Sequence, residues 1–233
     1  MLRFTHHTPP RGLALIILAA VLAVALPPAR AADEDISASA RLLMAARAAD
    51  APAMERALGA GAAVNARNRL GESALVIVLK NNHPELAPGL IAKGADVNLA
   101  AINGITPLMA AAYIGATDVV RALLQGGADV SAVDRLRKNA MTYAAGEGHV
   151  GVVRVLLDAG VSADAVYQND LTALMWAAGY GRTEVVRVLL EAGARVDRRD
   201  DRGKSALDIA REQRQDATVA LLESAAARAA SAH

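Results

Sequence analysis

The sequence repeats with a period of 33 residues, and this period constrains the fold more than any other feature. A large apolar residue and a glycine recur in two columns that share one register. The apolar column is Leu42, Leu75, Leu108, Met141, Leu174 and Leu207, and the glycine column is Gly61, Gly94, Gly127, Gly160 and Gly193. Two columns in one register, without an insertion, predict a stack of equivalent units that bury their apolar residues only against each other.

Each unit is predicted to hold two helices. A residue suited to cap a helix N-terminus stands before the first helix of five units: Ser73, Thr106, Asn139, Thr172 and Ser205. Pro107 follows its cap at the first helical position, where a missing N–H costs nothing. In the second helix Val119-Val120 and Leu123-Leu124 form the i, i+3, i+4 stripe of a half-buried helix.

The clearest copy is NGITPLMAAAYIGATDVVRALLQGGADV, at 103–130, with Gly104, Thr106-Pro107-Leu108, paired alanines and a central Gly115. These residues resemble the ankyrin repeat, and the resemblance covers residues 37–223. It implies an all-α ankyrin-repeat α-solenoid of about six helix-turn-helix repeats joined by short β-hairpin-like loops. The family's role, by the same resemblance, is to bind partner proteins.

Three departures from the family pattern carry expectations. The residue after the Thr-Pro-Leu motif is never histidine, so the family's buried histidine network is absent. Arg137 and Asp170 replace the turn glycine in two copies, which predicts distorted hairpins there. The first and last copies are more polar than the others, as expected of repeats that cap a stack.

The first 31 residues differ in composition from the rest and predict a secretory signal peptide. Arg3 and Arg11 precede 15 uninterrupted apolar residues at 12–26, and Ala29-Arg30-Ala31 follows. A basic start, an apolar run of this length and an A-x-A end are typical of a cleaved signal. A membrane-spanning helix needs about 20 apolar residues, so a retained anchor is the weaker alternative.

The predicted domain organisation follows from this boundary. It comprises a signal peptide at 1–31, a short linker at 32–36, a repeat domain at 37–223 and a tail at 224–233. The repeats lie at approximately 37–67, 68–100, 101–133, 134–166, 167–199 and 200–223.

The charge balance and the missing cysteines indicate the compartment. Residues 1–31 hold three arginines and no acid, so the remaining chain has two more acidic than basic residues. Such a balance does not fit a nucleic-acid-binding protein. Export, no cysteine and no Asn-x-Ser/Thr acceptor predict the bacterial periplasm. If the anchor were retained, the protein would sit in the inner membrane and face the periplasm; after cleavage it would have no contact with the membrane.

The sequence offers little catalytic chemistry. His83 and His149 are two repeats apart and have no cysteine or histidine partner at metal-ligand spacing. No nucleophile motif or phosphate-binding glycine loop is present, so we expect no enzyme activity, metal or cofactor. An enzyme that uses a carboxylate pair in the groove is the remaining alternative of this class. The stretch 197–202 is charged but balanced, and reads either as a solvated loop or as a polar contact for a partner.

The aromatic residues carry the strongest binding signal. Five remain after the predicted signal peptide: Tyr113, Tyr143, Tyr167, Trp176 and Tyr180. In an ankyrin-like stack, four of them fall on first helices, which line the concave groove, and Tyr167 falls near a hairpin. Ile114 lies close by. Because tyrosine and tryptophan are enriched at binding hot spots, we expect all six residues to bind a partner, with ring packing between helices as the alternative.

These observations predict a protein–protein interaction module that binds another protein through its concave groove and hairpin tips. On its own the protein is expected to be a monomer.

Overall fold

The structure, a computed structural model, describes residues 29–231, with side chains described from residue 38. Twelve α-helices form six pairs within this range, which confirms the predicted all-α solenoid of about six repeats. The helices are α1 Ala29–Arg47, α2 Ala51–Gly59, α3 Ala74–Lys80, α4 Ala87–Ala92, α5 Pro107–Tyr113, α6 Thr117–Gln125, α7 Ala140–Glu147, α8 Val150–Asp158, α9 Ala173–Gly179, α10 Thr183–Glu191, α11 Ala206–Glu212 and α12 Asp216–Ser231.

The predicted ends of the chain are only partly covered by these elements. Residues 1–28, most of the predicted signal peptide, lie outside the described residues, so the signal remains a prediction. Helix α1 includes residues 32–36, which were assigned to a linker, and α12 extends through 224–231 of the predicted tail. None of the helices within 29–231 is both long and apolar enough to cross a bilayer.

The helices are arranged in two rows. The odd-numbered helices α1 to α11, here called inner helices, each pack against the next inner helix. The even-numbered outer helices from α4 to α12 form a second row in the same way. Within the described residues, the main helix packing thus joins adjacent repeats, as in other solenoids.

The inner helices begin where the capping residues predict. The side-chain oxygens of Ser73, Thr106, Asn139, Thr172 and Ser205 each accept a hydrogen bond from the backbone N–H three residues later. Each bond satisfies a helix N–H that otherwise has no partner. At α7 and α11 the bond is reciprocal, because Thr142 and Asp208 accept from the backbone N–H of the cap.

The apolar column forms the core between the repeats. Leu42, Leu75, Leu108, Met141 and Leu174 are all buried. Alanine pairs such as Ala111-Ala112 are buried as well and let adjacent inner helices approach closely. Leu207 is only half-buried, because no seventh repeat stacks on it within the described residues.

The outer helix of repeat 2 is broken. A 3-10 turn at Pro84–Leu86 precedes a short α4, whereas the other outer helices after α2 begin directly. Pro88 has no N–H to bond to the carbonyl of residue 84, and its ring crowds that carbonyl. The first turn therefore closes through the tighter bond from Ala87 N–H to the Pro84 carbonyl.

An extended arm connects each outer helix to the next inner helix. We call these arms 2 to 6 by the repeat they lead into: residues 60–73, 93–106, 126–139, 159–172 and 192–205. All five arms close the same hairpin bond, for example from Asp134 N–H to the Lys138 carbonyl over 2.9 Å. Isolated antiparallel bridges join Arg67 to Ser73 and Val166 to Thr172, so the arms are hairpin-like, as predicted.

The two substituted hairpins behave differently from each other. Arg137 takes the left-handed φ of 58° that the turn glycines adopt, and its N–H bonds to the Asp134 carbonyl as a glycine's would. The predicted distortion is therefore wrong for arm 4. Arm 5 is distorted, because Asn169 and Asp170 are both left-handed and a 3-10 turn forms at Gln168–Asp170.

Two kinds of hydrogen bond recur between neighbouring arms at three of their four joints. A backbone bond links the hairpins, and an Asn or Asp side chain accepts from the backbone N–H of the next arm. The backbone bonds are Ile102 to Leu70, Arg135 to Asn103 and Asp201 to Asn169, and the side-chain acceptors are Asn65, Asn98 and Asp164. Between arms 4 and 5 the described residues make neither bond, and Ser131, which replaces the acceptor, bonds only to Asp129.

Candidate functional site

Four of the five aromatic residues within 29–231 form a continuous row across the inner helices of repeats 3 to 5. The Tyr113 and Tyr143 rings meet edge to face, with centroids 5.9 Å apart and an interplanar angle of 88°. Trp176 and Tyr180 are stacked, with centroids 6.1 Å apart. Lys138 joins the two pairs, because its Nζ lies 4.5 Å from the Trp176 ring centroid and 5.7 Å from that of Tyr143. We call the four rings together with Lys138 the aromatic strip.

The strip is partly open to solvent. Tyr113 and Tyr180, at its two ends, are 51% and 56% exposed. Tyr143 and Trp176, in its middle, are half-buried and pack against the core. Ring packing and an open face therefore coexist, and together they give a rigid apolar surface with polar tips.

A buried carboxylate holds Tyr143 in place. The Tyr143 hydroxyl donates to Asp134 Oδ2 over 2.6 Å, and Asp134 Oδ1 accepts from the N–H groups of Leu136 and Lys138. Burial and the neighbouring Asp134 carboxylate raise the pKa of Tyr143 well above its usual value, so its hydroxyl stays protonated. Hairpin and ring are therefore locked to each other at the centre of the strip.

Tyr167 does not join the strip, which corrects the expectation that all the aromatics share one surface. It occupies the hairpin position held by Asn68, Asp134 and Asp200 in other arms, and its ring packs against the core. The ring lies in a cleft of about 380 Å³ between arms 4 and 5, beside Val166. Its hydroxyl is buried and makes no hydrogen bond of regular geometry within the described residues; this burial raises its pKa, and the Asn139 side chain opposes the rise.

Ile114 lies at the C-terminal end of α5, next to Tyr113, and is half-buried. It holds the position that Tyr180 holds two repeats later, so it extends the apolar character of the groove towards repeat 3.

A shallow cleft continues the strip into repeat 6. It has a volume of about 290 Å³ and is lined by Leu171, Met175, Trp176, Gly179, Tyr180, Arg202, Ile209 and Gln213. One wall of the cleft is thus formed by the stacked Trp176 and Tyr180 rings, which a ligand in the cleft would contact.

The hairpin tips add exposed apolar residues that the sequence analysis did not single out. Leu70 is 59% exposed, Ile102 is 54% exposed and Leu136 is 64% exposed. They lie at the hairpin tips of arms 2, 3 and 4. Their signal in the sequence is a large aliphatic residue in a turn that otherwise holds polar residues or glycine.

The charged stretch 197–202 is paired within the protein. Arg198 binds Asp164 over 2.9 Å and Arg202 binds Asp200 over 2.6 Å. Burial alone would raise the pKa of Asp200, but the N–H groups of Lys204 and Arg202 and the Arg202 guanidinium bring it below its usual value. These pairs fit the solvated-loop interpretation of the stretch.

His83 and His149, the two histidines within 29–231, have structural contacts. His149 Nε2 donates to the Tyr113 carbonyl over 2.8 Å, and its ring fills the space where a side chain at Gly115 would lie. His83 Nδ1 lies 3.1 Å from Glu85. In the part of the chain that the structure describes, no three histidine or acidic side chains are grouped to hold a metal ion.

The family profile "Ankyrin repeats (3 copies)" matches the chain in four overlapping segments, residues 42–134, 82–167, 113–200 and 141–230. The mitochondrial disaggregase of Homo sapiens is 40% identical over 88 residues, which are 38% of this chain and 12% of that protein. The Bos taurus mitochondrial disaggregase is 44% identical over 63 residues, 27% of this chain and 9% of that protein. The aligned part of the chain thus spans about a tenth of these relatives. Since the profile matches cover nearly every residue of the six stacked helix pairs, the chain belongs to the ankyrin repeat family.

Proposed function

We propose that this protein is a non-catalytic interaction module that holds a partner protein in its concave groove, centred on the aromatic strip. Ankyrin repeats generally bind other proteins. The observation that carries the proposal is the continuous row of Tyr113, Tyr143, Trp176 and Tyr180, bridged by Lys138.

The physical basis is the balance of rigidity and exposure in the strip. Large rings that are already packed on one side lose little entropy when a partner covers the other side. Such residues dominate binding energy at protein interfaces. The exposed Leu70, Ile102 and Leu136 at the hairpin tips supply a second contact line for the same partner.

The test is partner capture by the purified protein, with affinity and melting temperature measured on the same variants. Trp176→Ala changes the strip, whereas Arg154→Ala and Arg187→Ala change exposed arginines on outer helices α8 and α10. We expect weaker capture by the first variant and unchanged capture by the other two. Equal capture by all three would contradict the groove as the binding surface.

We further propose that the protein works in the bacterial periplasm after cleavage behind Ala31, and that it is monomeric without its partner. The proposed location and cleavage rest on the residue pattern at 1–31. The mass of the mature protein and its release by osmotic shock test the first point, and sedimentation tests the second. Recovery of the full-length chain in the membrane fraction would instead support the inner-membrane anchor.

A further inference from the structure

In two repeats, the last residue of the hairpin forms an ion pair along the groove. Glu72 pairs with Lys80 in repeat 2, and Lys204 pairs with Glu212 in repeat 6. In both cases the partner stands eight residues later, in the last turn of the same inner helix. In repeats 3 and 5 the first position is apolar, with Ile105 and Leu171.

Repeat 4 has the charge but lacks the partner. Lys138 holds the position of Glu72 and Lys204, and the residue eight positions later is Gly146. Within the described residues, the Lys138 ammonium has no carboxylate in hydrogen-bond or ion-pair range, and it lies over the rings of Trp176 and Tyr143 instead.

The surface next to Gly146 belongs to the aromatic strip. A Cβ built on Gly146 would lie 3.7 Å from Tyr180 Cδ2 and 3.9 Å from Trp176 Cε3. Gly146 is itself buried, so the place where a carboxylate stands in repeat 6 is here bordered by these two rings. A ligand that reaches Lys138 must lie against the same rings.

The nearby acidic groups are engaged elsewhere. Asp134 is buried and holds two backbone N–H groups and the Tyr143 hydroxyl. Glu147 lies 4.0 Å from Arg182. A second basic residue of the same hairpin, Arg135, is exposed at the tip and also makes no ion pair or side-chain hydrogen bond in the described part of the chain. The positive charge of Lys138 is thus left for a ligand.

We propose that the partner segment bound in the groove presents a carboxylate side chain, aspartate or glutamate, which pairs with Lys138 above the Trp176 and Tyr143 rings. This inference rests on the proposed groove function and names the chemistry of the ligand at its centre. An ammonium held over aromatic rings is partly desolvated, so a carboxylate that reaches it forms a stronger pair than one formed in open water. The rings then pack against apolar residues beside the acid.

The sole tryptophan of the chain, Trp176, is a reporter at this position. Short acetylated peptides with a central glutamate between apolar residues are titrated into the purified protein while Trp176 fluorescence is followed. Matched peptides with glutamine at the same place are the control. We expect the glutamate peptides to bind about tenfold more tightly at low salt, with the difference shrinking as salt screens the charge pair. Equal affinity of the two sets, or no binding by either, would overturn the inference.

Two groups of variants sharpen the test. Lys138→Gln is expected to abolish the preference for glutamate, and Lys138→Glu to transfer it to peptides with a central lysine. Gly146→Glu supplies the missing carboxylate within the chain and is expected to weaken glutamate-peptide binding, while Gly146→Ala, whose Cβ fits at ordinary contact distances, is its control. A glutamate preference that survives Lys138→Gln would refute the role of Lys138.

The outcomes separate this inference from the proposed function. If Trp176→Ala weakens partner capture but glutamate and glutamine peptides bind alike, the groove stands and the acidic ligand falls. If partner capture does not depend on Trp176, the proposed function itself falls.

Discussion

The groove surface of repeats 2 and 6 differs from that of repeats 4 and 5, although the same backbone positions form both. In repeats 2 and 6 these positions hold the Glu72–Lys80 and Lys204–Glu212 ion pairs, which satisfy the charges within the chain. In repeats 4 and 5 the same positions hold Lys138 with Gly146 and Leu171 with Gly179, so no ion pair forms there within the described residues, and the Lys138 ammonium lies over the Trp176 and Tyr143 rings instead. The charges of these ion pairs in repeats 2 and 6 are thus neutralised within the chain, whereas the rings and the Lys138 ammonium of repeats 4 and 5 remain able to contact a partner.

The comparison shows which positions are constrained by the stack and which are free. Each of these repeats has a large apolar residue in the column and a side-chain cap on its inner helix, because each must pack on its neighbours and begin its helix. The groove positions touch the core on one side only, so they can differ without loss of the fold.

The largest expected effect tests whether both regions share one frame. Leu75→Ala in repeat 2 and Leu174→Ala in repeat 5 remove equally buried methyl groups. Each should lower the free energy of unfolding by ~2–5 kcal/mol, as chemical denaturation would show. A small effect in one repeat only would mean that the regions differ in their cores as well as in their surfaces.

The next effect separates binding from stability. Trp176→Ala or Tyr143→Ala should each weaken partner binding by ~2 kcal/mol or more, measured by titration calorimetry. The equivalent residue in repeat 2, Ile77, is buried, so Ile77→Ala should lower stability and leave binding by the folded protein unchanged. Because Tyr143 and Trp176 stand in adjacent repeats, their effects need not add. If Trp176→Ala acts only by lowering the melting temperature, the ring is a packing residue.

A smaller effect concerns the anchoring of the central ring. Tyr143→Phe removes the hydrogen bond to the buried Asp134 carboxylate and should lower stability by ~1–2 kcal/mol. In repeat 6 the equivalent Asp200 is satisfied by Arg202 instead, so Arg202→Ala is the matched change. Because Arg202 is largely exposed, we expect a smaller loss there, and a larger one would reverse the ranking of the two anchors.

The smallest effect is expected at the ion pairs of the end repeats. Lys204→Gln breaks a pair whose two side chains are 33% and 47% exposed. Exposed pairs contribute about 0.2–1 kcal/mol, so the melting curve should hardly move and partner binding should not change. Weaker partner binding by Lys204→Gln would instead show that the contact surface includes repeat 6 as well as repeats 4 and 5.

The sequence predicted the frame well, because the frame is periodic. The caps, the buried column and the six helix pairs all follow from residue spacing, since each repeat meets the same neighbours. The link between Lys138 and Trp176 was not predicted, because it joins side chains 38 positions apart whose directions depend on packing between two repeats. The position of the Tyr167 side chain was not predicted for a related reason. Residue spacing places Tyr167 in a hairpin but does not show that it lines a cleft between two arms.

The missing bonds between arms 4 and 5 have a mechanical consequence. Stacked repeats bend like springs in series, and the softest joint takes the largest share of any deflection. Because the described residues of arms 4 and 5 make neither of the two bonds that recur at the other joints, that joint is expected to be the most compliant of the four. Tyr143 belongs to the repeat before it and Trp176 to the repeat after it, so flexing there changes the spacing of these two rings while Tyr113 and Tyr143, or Trp176 and Tyr180, move as fixed pairs.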